Sequence, residues 1–195
     1  MLTLALALAT QAQPLSLEVA FDKPSYKQGE VIEASLMLKN TSDKPQIIAL
    51  SQWDGGLTAG TTLRLLRNGK PVQLKEIDSS HPLRQVMAYN KVNEARFATL
   101  RPGEFKRVHW MKFKEEMEYD GIPEARTKRE LANAKVILTP LHGTYTVSGS
   151  YSFDRRTDTG FRGPYKEYKF TPGAKAMFDR SFAGELKASA ALRIE

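Results

Sequence analysis

The sequence predicts an all-β chain: an antiparallel sandwich of seven to nine short strands, with one or two short helical insertions. Three observations predict it. Residues Thr144 to Phe153 alternate without a break, with Tyr145, Val147, Gly149, Tyr151 and Phe153 on one side and Thr144, Thr146, Ser148, Ser150 and Ser152 on the other. Successive side chains of a strand point to opposite faces, so this stretch reads as a strand with one buried and one wet face. Further segments carry the same period at short spacing, with turn formers between them, which is the pattern of a sandwich. Finally, Gly143-Thr144-Tyr145 has the form of a tyrosine corner, in which a Tyr opening a late sandwich strand bonds back to the preceding turn. That device belongs to immunoglobulin-like sandwiches and sets the expected fold.

Taken in order, Leu15 to Asp22 is a strand with Leu15, Leu17, Val19 and Phe21 on its apolar face. Pro24 lacks an N–H and stops the ladder, and Gly29 supplies the backbone freedom of the turn that follows. Val31 to Asn40 is the next strand, with Ile32, Ala34, Leu36 and Leu38 inward. Thr41 to Pro45 is a run of turn formers, and Gln46 to Trp53 a third strand. Thr62 to Lys75 reads as a hairpin about Asn68-Gly69, the strongest short hairpin signal. Asp78 to Glu94 has no period and reads as a long loop. Arg101-Pro102-Gly103-Glu104 is a turn of type II composition. In the strand after it, Phe105 to Lys114, neither face is cleanly apolar, which predicts an edge, a bulge or exposure on both sides. Pro123 followed by Glu124 to Ala134 suits a short helix, and a helical turn is expected near Ala174 to Phe178. Gly184 to Glu195 is the last strand, with Leu186, Ala188, Ala190, Leu192 and Ile194 on one face. Gly-Glu recurs at 29–30, 103–104 and 184–185 as a shared turn chemistry.

The stretch Phe21-Asp22-Lys23-Pro24-Ser25-Tyr26-Lys27-Gln28-Gly29-Glu30, followed by a strand ending Leu38-Lys39-Asn40-Thr41-Ser42, resembles bacterial secreted immunoglobulin-like domains. It is also similar to the opening of macroglobulin-type domains, whose turn is Pro-Gly where this chain has Gln-Gly. Echoes occur at Leu100 to Glu104 and Gly143 to Tyr145. The resemblance implies a sandwich and little about function, since this architecture hosts many roles. Protease-trapping macroglobulins use a Cys-based thioester, and this chain has no Cys. Some small bacterial proteinase inhibitors resemble sandwiches with the same Asn-Thr-Ser turn, which keeps an inhibitor open as an alternative.

The chain has 195 residues, 26% of them charged, and a formal net charge of +7. The absence of cysteine removes disulfides, thiolate metal sites and cysteine nucleophiles. Leu2 to Ala9 is a short apolar run, and Thr10-Gln11-Ala12 follows with small residues where a signal peptidase inspects them. Residues 1–12 are therefore expected to be a signal peptide, although no Lys or Arg precedes the run, and 15–195 a single sandwich domain in the periplasm or outside the cell. No segment is apolar enough to span a bilayer.

Catalytic patterns are missing. His81, His109 and His142 lack metal-binding spacing, and there is no Gly-x-Ser-x-Gly, phosphate loop or dinucleotide fingerprint. Glu115, Glu116 and Glu118, beside Lys112 and Lys114, read as a solvated surface. No metal or cofactor is expected. The one suggestive stretch is Asp154 to Phe170, where Arg155, Arg156, Arg162, Lys166 and Lys169 interleave with Phe161, Tyr165, Tyr168 and Phe170. Such a loop holds an anionic polymer or a sugar by charge and stacking; alternatively its aromatics pack back on the sandwich. A smaller basic patch, Lys106, Arg107, Lys112 and Lys114, surrounds Trp110. The expected function is an exported, non-catalytic binding or accessory module of the cell envelope, partnered by another envelope or secreted protein or an anionic polymer. Nucleic acid is not expected as a partner. A hydrolase with a dispersed site is the remaining alternative.

Overall fold

The computed structural model describes residues 13–50, 60–79, 91–119, 136–155 and 169–195. It is mostly antiparallel β. The expected signal peptide, the expected helix over 124–134 and His81 lie outside the described residues.

Strands β1 (Leu15–Phe21) and β2 (Ile32–Asn40) pair antiparallel from Leu15↔Asn40 to Phe21↔Ala34. Every second residue of β2, from Ile32 to Asn40, is buried, as alternation requires. Next come β3 (Gln46–Ala49), β4 (Gly60–Arg67), β5 (Lys70–Pro71), β6 (Leu74–Ser79), β7 (Lys91–Val92) and β8 (Phe97–Leu100). The long β9 (Phe105–Tyr119), then β10 (Val136–Pro140), β11 (Gly143–Phe153) and β12 (Lys169–Phe170), lead to helix α1 (Pro172–Arg180) and β13 (Gly184–Ile194). One sheet holds β1, β2, β9, β10 and β6, the other β13, β11, β4 and β5. Two short pairs, β3 with β8 and β7 with β12, complete the described strands. These thirteen strands exceed the seven to nine expected; three of them, β5, β7 and β12, have two residues each, too few to leave a periodic signal.

The two large sheets pack face to face, and their inner residues form one buried cluster. Leu36 of β2 meets Gly149 of β11: a Cβ on Gly149 would lie 2.3 Å from Leu36 Cδ1. Gly149 thus sits on the apolar side of its strand because the opposite sheet occupies its side-chain space. β11 is central, between β13 and β4, and Tyr145, Val147, Gly149, Tyr151 and Phe153 are all buried.

β9 explains its own mixed pattern. Leu36 pairs with His109 and Met37 with Arg107, so Val108 is an extra residue. This bulge turns Phe105 and Arg107 to the face of Trp110 and Lys112. A second irregularity lies against β6: Lys75 pairs with Glu115 and Glu76 with Phe113, leaving Lys114 extra. Residues 111–113 pair with both β2 and β6, and 115–116 with both β10 and β6. Hence β2 and β10 share one edge of β9 end to end, and β6 takes the other.

The Asn68-Gly69 turn forms with both residues at positive φ (52° and 78°), the geometry of a two-residue hairpin. Its ladder is shorter than the sequence implies. Only Leu66↔Pro71 and Arg67↔Lys70 pair before Leu74 crosses to the other sheet. The third strand runs Gln46–Ala49, and residues 51–53 of the expected strand lie outside the described residues.

Two of the three Gly-Glu turns are one motif. In Lys27–Glu30 and Arg101–Glu104 the last residue's N–H donates to the first residue's carbonyl (3.1 and 3.0 Å). The Glu carboxylate then accepts from the first residue's N–H (3.1 and 2.8 Å). Gly184-Glu185 opens β13 instead and does not share the motif. Asn40, fully buried, ties the first of the sheets to the β3–β8 pair: its amide donates to the carbonyls of Lys44 and Leu100 (2.8 and 2.9 Å), and its Oδ1 accepts from the N–H and hydroxyl of Ser42 (2.9 and 2.8 Å).

Candidate functional site

After Phe153 the chain leaves β11 through Asp154 and Arg155, and it returns at β12. Thr171 then caps α1: its hydroxyl accepts from Ala174 N–H (3.2 Å) and donates to Glu94 (2.8 Å). Backbone N–H bonding at Glu94 and this hydroxyl hold its carboxyl below the usual carboxylate value. Pro at the first helical turn suits the helix start. Phe178 of α1 meets Phe153 edge-on at 6.0 Å between ring centroids and Phe170 at 5.0 Å. Phe182 N–H donates to Ile47 (2.7 Å), and Tyr151 hydroxyl to the Ala49 carbonyl (2.9 Å). Burial pushes the Tyr151 hydroxyl well above its ordinary pKa.

This docking leaves an open hollow of about 1000 Å³. It lies between the start of β4 (Gly60), the end of β11 (Ser152 to Arg155), the last turn of α1 (Phe178, Asp179) and the start of β13 (Gly184, Glu185). Arg155 donates through Nη1 to the carbonyl of Asp179 (2.6 Å), so its charge sits at the negative end of α1. Asp179 pairs with Lys175, and Glu185 with Lys187 at 3.2 Å.

Of the residues the sequence singles out, Arg155 lines this hollow, and Lys169 lies in β12, paired with Lys91. Arg156, Phe161, Arg162, Tyr165, Lys166 and Tyr168 lie outside the described residues. Phe170, at the far end of the same stretch, packs on Phe178 as a core aromatic does.

The Trp110 patch is differently built from its sequence reading. Arg107 and Lys112 approach the Trp110 ring at 5.6 and 5.7 Å, and both pair with Glu33 of β2, at 2.8 and 3.3 Å. One carboxylate holds both cations against the ring, so their charge is already engaged. Lys106 pairs in register with Leu38, on the opposite face.

The main constellation missed in the sequence surrounds Tyr145. Glu116 is buried, not a solvated surface residue: the extra residue at Lys114 breaks the alternation and turns Glu116 inward. Tyr145 hydroxyl donates to Glu116 (2.7 Å) and accepts from the backbone N–H of His142 (3.2 Å), the back-bond of a tyrosine corner. Arg67 of β4 contacts both the hydroxyl and the carboxylate, and lies 4.8 Å from the ring centroid. Burial and the Glu116 bond raise the Tyr145 pKa. His142 contributes its backbone N–H, and these bonds join β4, β9 and β11.

A second joint repeats the geometry. Tyr26 hydroxyl accepts from Lys23 N–H (3.2 Å) and donates to Asp22 (2.6 Å), whose carboxylate also accepts from Glu33 N–H (3.1 Å). Burial and the Asp22 bond push the Tyr26 hydroxyl well above its ordinary pKa. The shared signal is a Tyr bonded to the N–H three residues earlier. His109, by contrast, bonds Thr61 (3.3 Å), and among the described residues no three His, Asp or Glu side chains are placed to hold a metal ion. No helix among them is long and apolar enough to cross a membrane.

No known family model and no curated protein matches the chain.

Proposed function

We propose that the chain is an exported, non-catalytic binding module on an immunoglobulin-like sandwich, and that it receives its ligand at the end where the hollow lies. Through β9, one sheet reads β1-β2-β9-β6 across its width; the other reads β13-β11-β4-β5. These orders correspond to A-B-E-D and G-F-C-C′ of the immunoglobulin-like sandwich, and with the Tyr145 back-bond they support that reading. In this correspondence residues 41–59 are the B–C connection and 154–183 the F–G connection. Both emerge at one end, where variable domains of this architecture carry their binding loops. The observation that carries the proposal is the hollow between the ends of β4, β11 and β13 at that end. Export is supported by the apolar run Leu2 to Ala9 and the small residues after it. An anionic envelope polymer is the ligand class, supported by Arg155 at the rim and by the basic and aromatic residues that follow it in sequence.

Co-sedimentation of the full chain with isolated envelope material tests this. Binding is expected at low ionic strength, weakening with added salt as counter-charges screen it. Arg155→Glu should weaken it several-fold, whereas Arg193→Glu, the same charge change on an exposed residue near the other end of β13, should not. Absent binding, or binding indifferent to salt and to Arg155, refutes the proposal.

A further inference from the structure

Asparagine is chemically labile, and most so where the next residue has no side chain to shield its main-chain nitrogen. Of the five asparagines in the chain, only Asn68 is followed by Gly. Arg67, Asn68, Gly69 and Lys70 are all exposed, and a Cβ on Gly69 would meet nothing within 4 Å. Asn40, by contrast, is fully buried with both halves of its amide bonded, and Asn93 Oδ1 accepts from the N–H of Ala95 (3.1 Å).

The turn itself shields Asn68. With Asn68 and Gly69 both at positive φ, the Gly69 nitrogen is held away from Asn68 Cγ, so the two meet only when the tip opens. Opening disturbs little else. β4 pairs with β11 only as far as Leu66, so the tip overhangs that sheet. Across the hairpin, Arg67↔Lys70 and Leu66↔Pro71 are the last pairs, with Val72 N–H donating to the Leu65 carbonyl behind them (2.9 Å). Exposed hydrogen bonds at the end of so short a ladder open without unfolding the rest. Arg67 and Lys70 flank the turn, and their charge favours the anion formed when Gly69 gives up its amide proton.

We propose that Asn68 is a self-modification site: it converts to aspartate and isoaspartate without an enzyme, and the conversion loosens Arg67 from Glu116 and Tyr145. The Gly69 nitrogen forms a bond to Asn68 Cγ, the Cγ–Nδ2 bond breaks, and ammonia leaves with the displaced proton. Water then adds to the resulting succinimide. Breaking the ring nitrogen from Cγ yields aspartate; breaking it from the main-chain carbonyl yields isoaspartate. Water is consumed and ammonia released, with no change of oxidation state. Isoaspartate routes the main chain through its side-chain carbon, and a two-residue turn cannot hold the longer path in the Arg67↔Lys70 register. Either product sets a new carboxylate beside Arg67, whose guanidinium bonds Glu116 (3.3 Å through Nη1) and Tyr145. The new charge competes with Glu116 for that guanidinium and draws it out of the joint.

The test incubates the full chain in warm, mildly alkaline buffer and follows it by peptide mapping. The peptide holding Asn68 should gain the mass of an amide-to-acid exchange, and isoaspartyl methyltransferase should label it. Conversion at Asn68 should outpace that at Asn93 several-fold. In the folded chain it should run slower than in urea, yet faster than global unfolding permits, as opening of the tip requires. The aged chain should unfold at a lower urea concentration than the fresh one, and ageing should shift the midpoint less in an Arg67→Lys background. Asn68→Ser cannot form the ring and should keep its midpoint through the same incubation. Three results overturn the proposal: Asn68 intact while Asn93 reacts, conversion no faster than global unfolding permits, or an aged chain whose midpoint matches the fresh one.

Discussion

Tyr145→Phe removes one hydroxyl and leaves the ring in place, so it isolates the polar part of the joint between β4, β9 and β11. The ring keeps its packing and its contact with Arg67. What is lost is the 2.7 Å bond to the buried Glu116 carboxylate and the acceptor for His142 N–H at 3.2 Å. A hydrogen bond to a charged group contributes about 1.5–3 kcal/mol. Glu116 retains Arg67, so its charge is not orphaned, and the exposed His142 can turn its N–H to water. The expected loss is therefore about 2 kcal/mol. For a chain of this length that corresponds to a fall of about 4–8 °C in Tm. Urea denaturation, with the slope unchanged, measures it. The same substitution in a Glu116→Gln background should cost at least about 1 kcal/mol less, because the charged acceptor is already gone. An unchanged midpoint for Tyr145→Phe, or strict additivity with Glu116→Gln, would refute the coupling described for this joint.

Two further outcomes follow from other buried polar groups. Asn40 uses both halves of its amide, so Asn40→Ala should cost about 3 kcal/mol. Asn40→Asp should be no better tolerated at neutral pH, since a carboxylate cannot donate to Lys44 and Leu100; a near-native midpoint for Asn40→Asp would contradict this. Burial tends to raise the Asp22 pKa, but the bonds from Tyr26 and Glu33 outweigh it and hold the carboxyl below its usual value. Its stabilisation is then fully present above the unfolded pKa near ~3.9 and is lost as pH falls through the lower folded value. The stability gap between the native chain and Asp22→Asn should therefore be constant at neutral pH and close in acid; a gap independent of pH in urea titrations would remove Asp22 from that role.

The candidate hollow was only partly legible in the sequence. Arg155 opens a basic-aromatic stretch that the sequence shows, but the walls contributed by Gly60, Asp179 and Glu185 come from three other parts of the chain. No local pattern announces that strand ends so separated will converge. The edge at β10 was equally silent, because Val136-Ile137-Leu138 reads as any apolar strand until its neighbours are known.

The sequence by itself determined the strands whose burial is one-sided. β1, β2, β11 and β13 alternate apolar and polar residues, and a period of two survives any arrangement that buries one face. It also determined the turns at Asn68-Gly69 and Arg101–Glu104, because their chemistry is local. Only the tertiary structure decided which way β9 faces. Its two extra residues, Val108 and Lys114, each shift the alternation by one and carry Arg107 outward and Glu116 into the joint with Tyr145 and Arg67. A bulge is a relation between two strands, so it is absent from the period of either one. The same holds for the hollow and the exposed edge of β10, which consist of what neighbouring elements leave open.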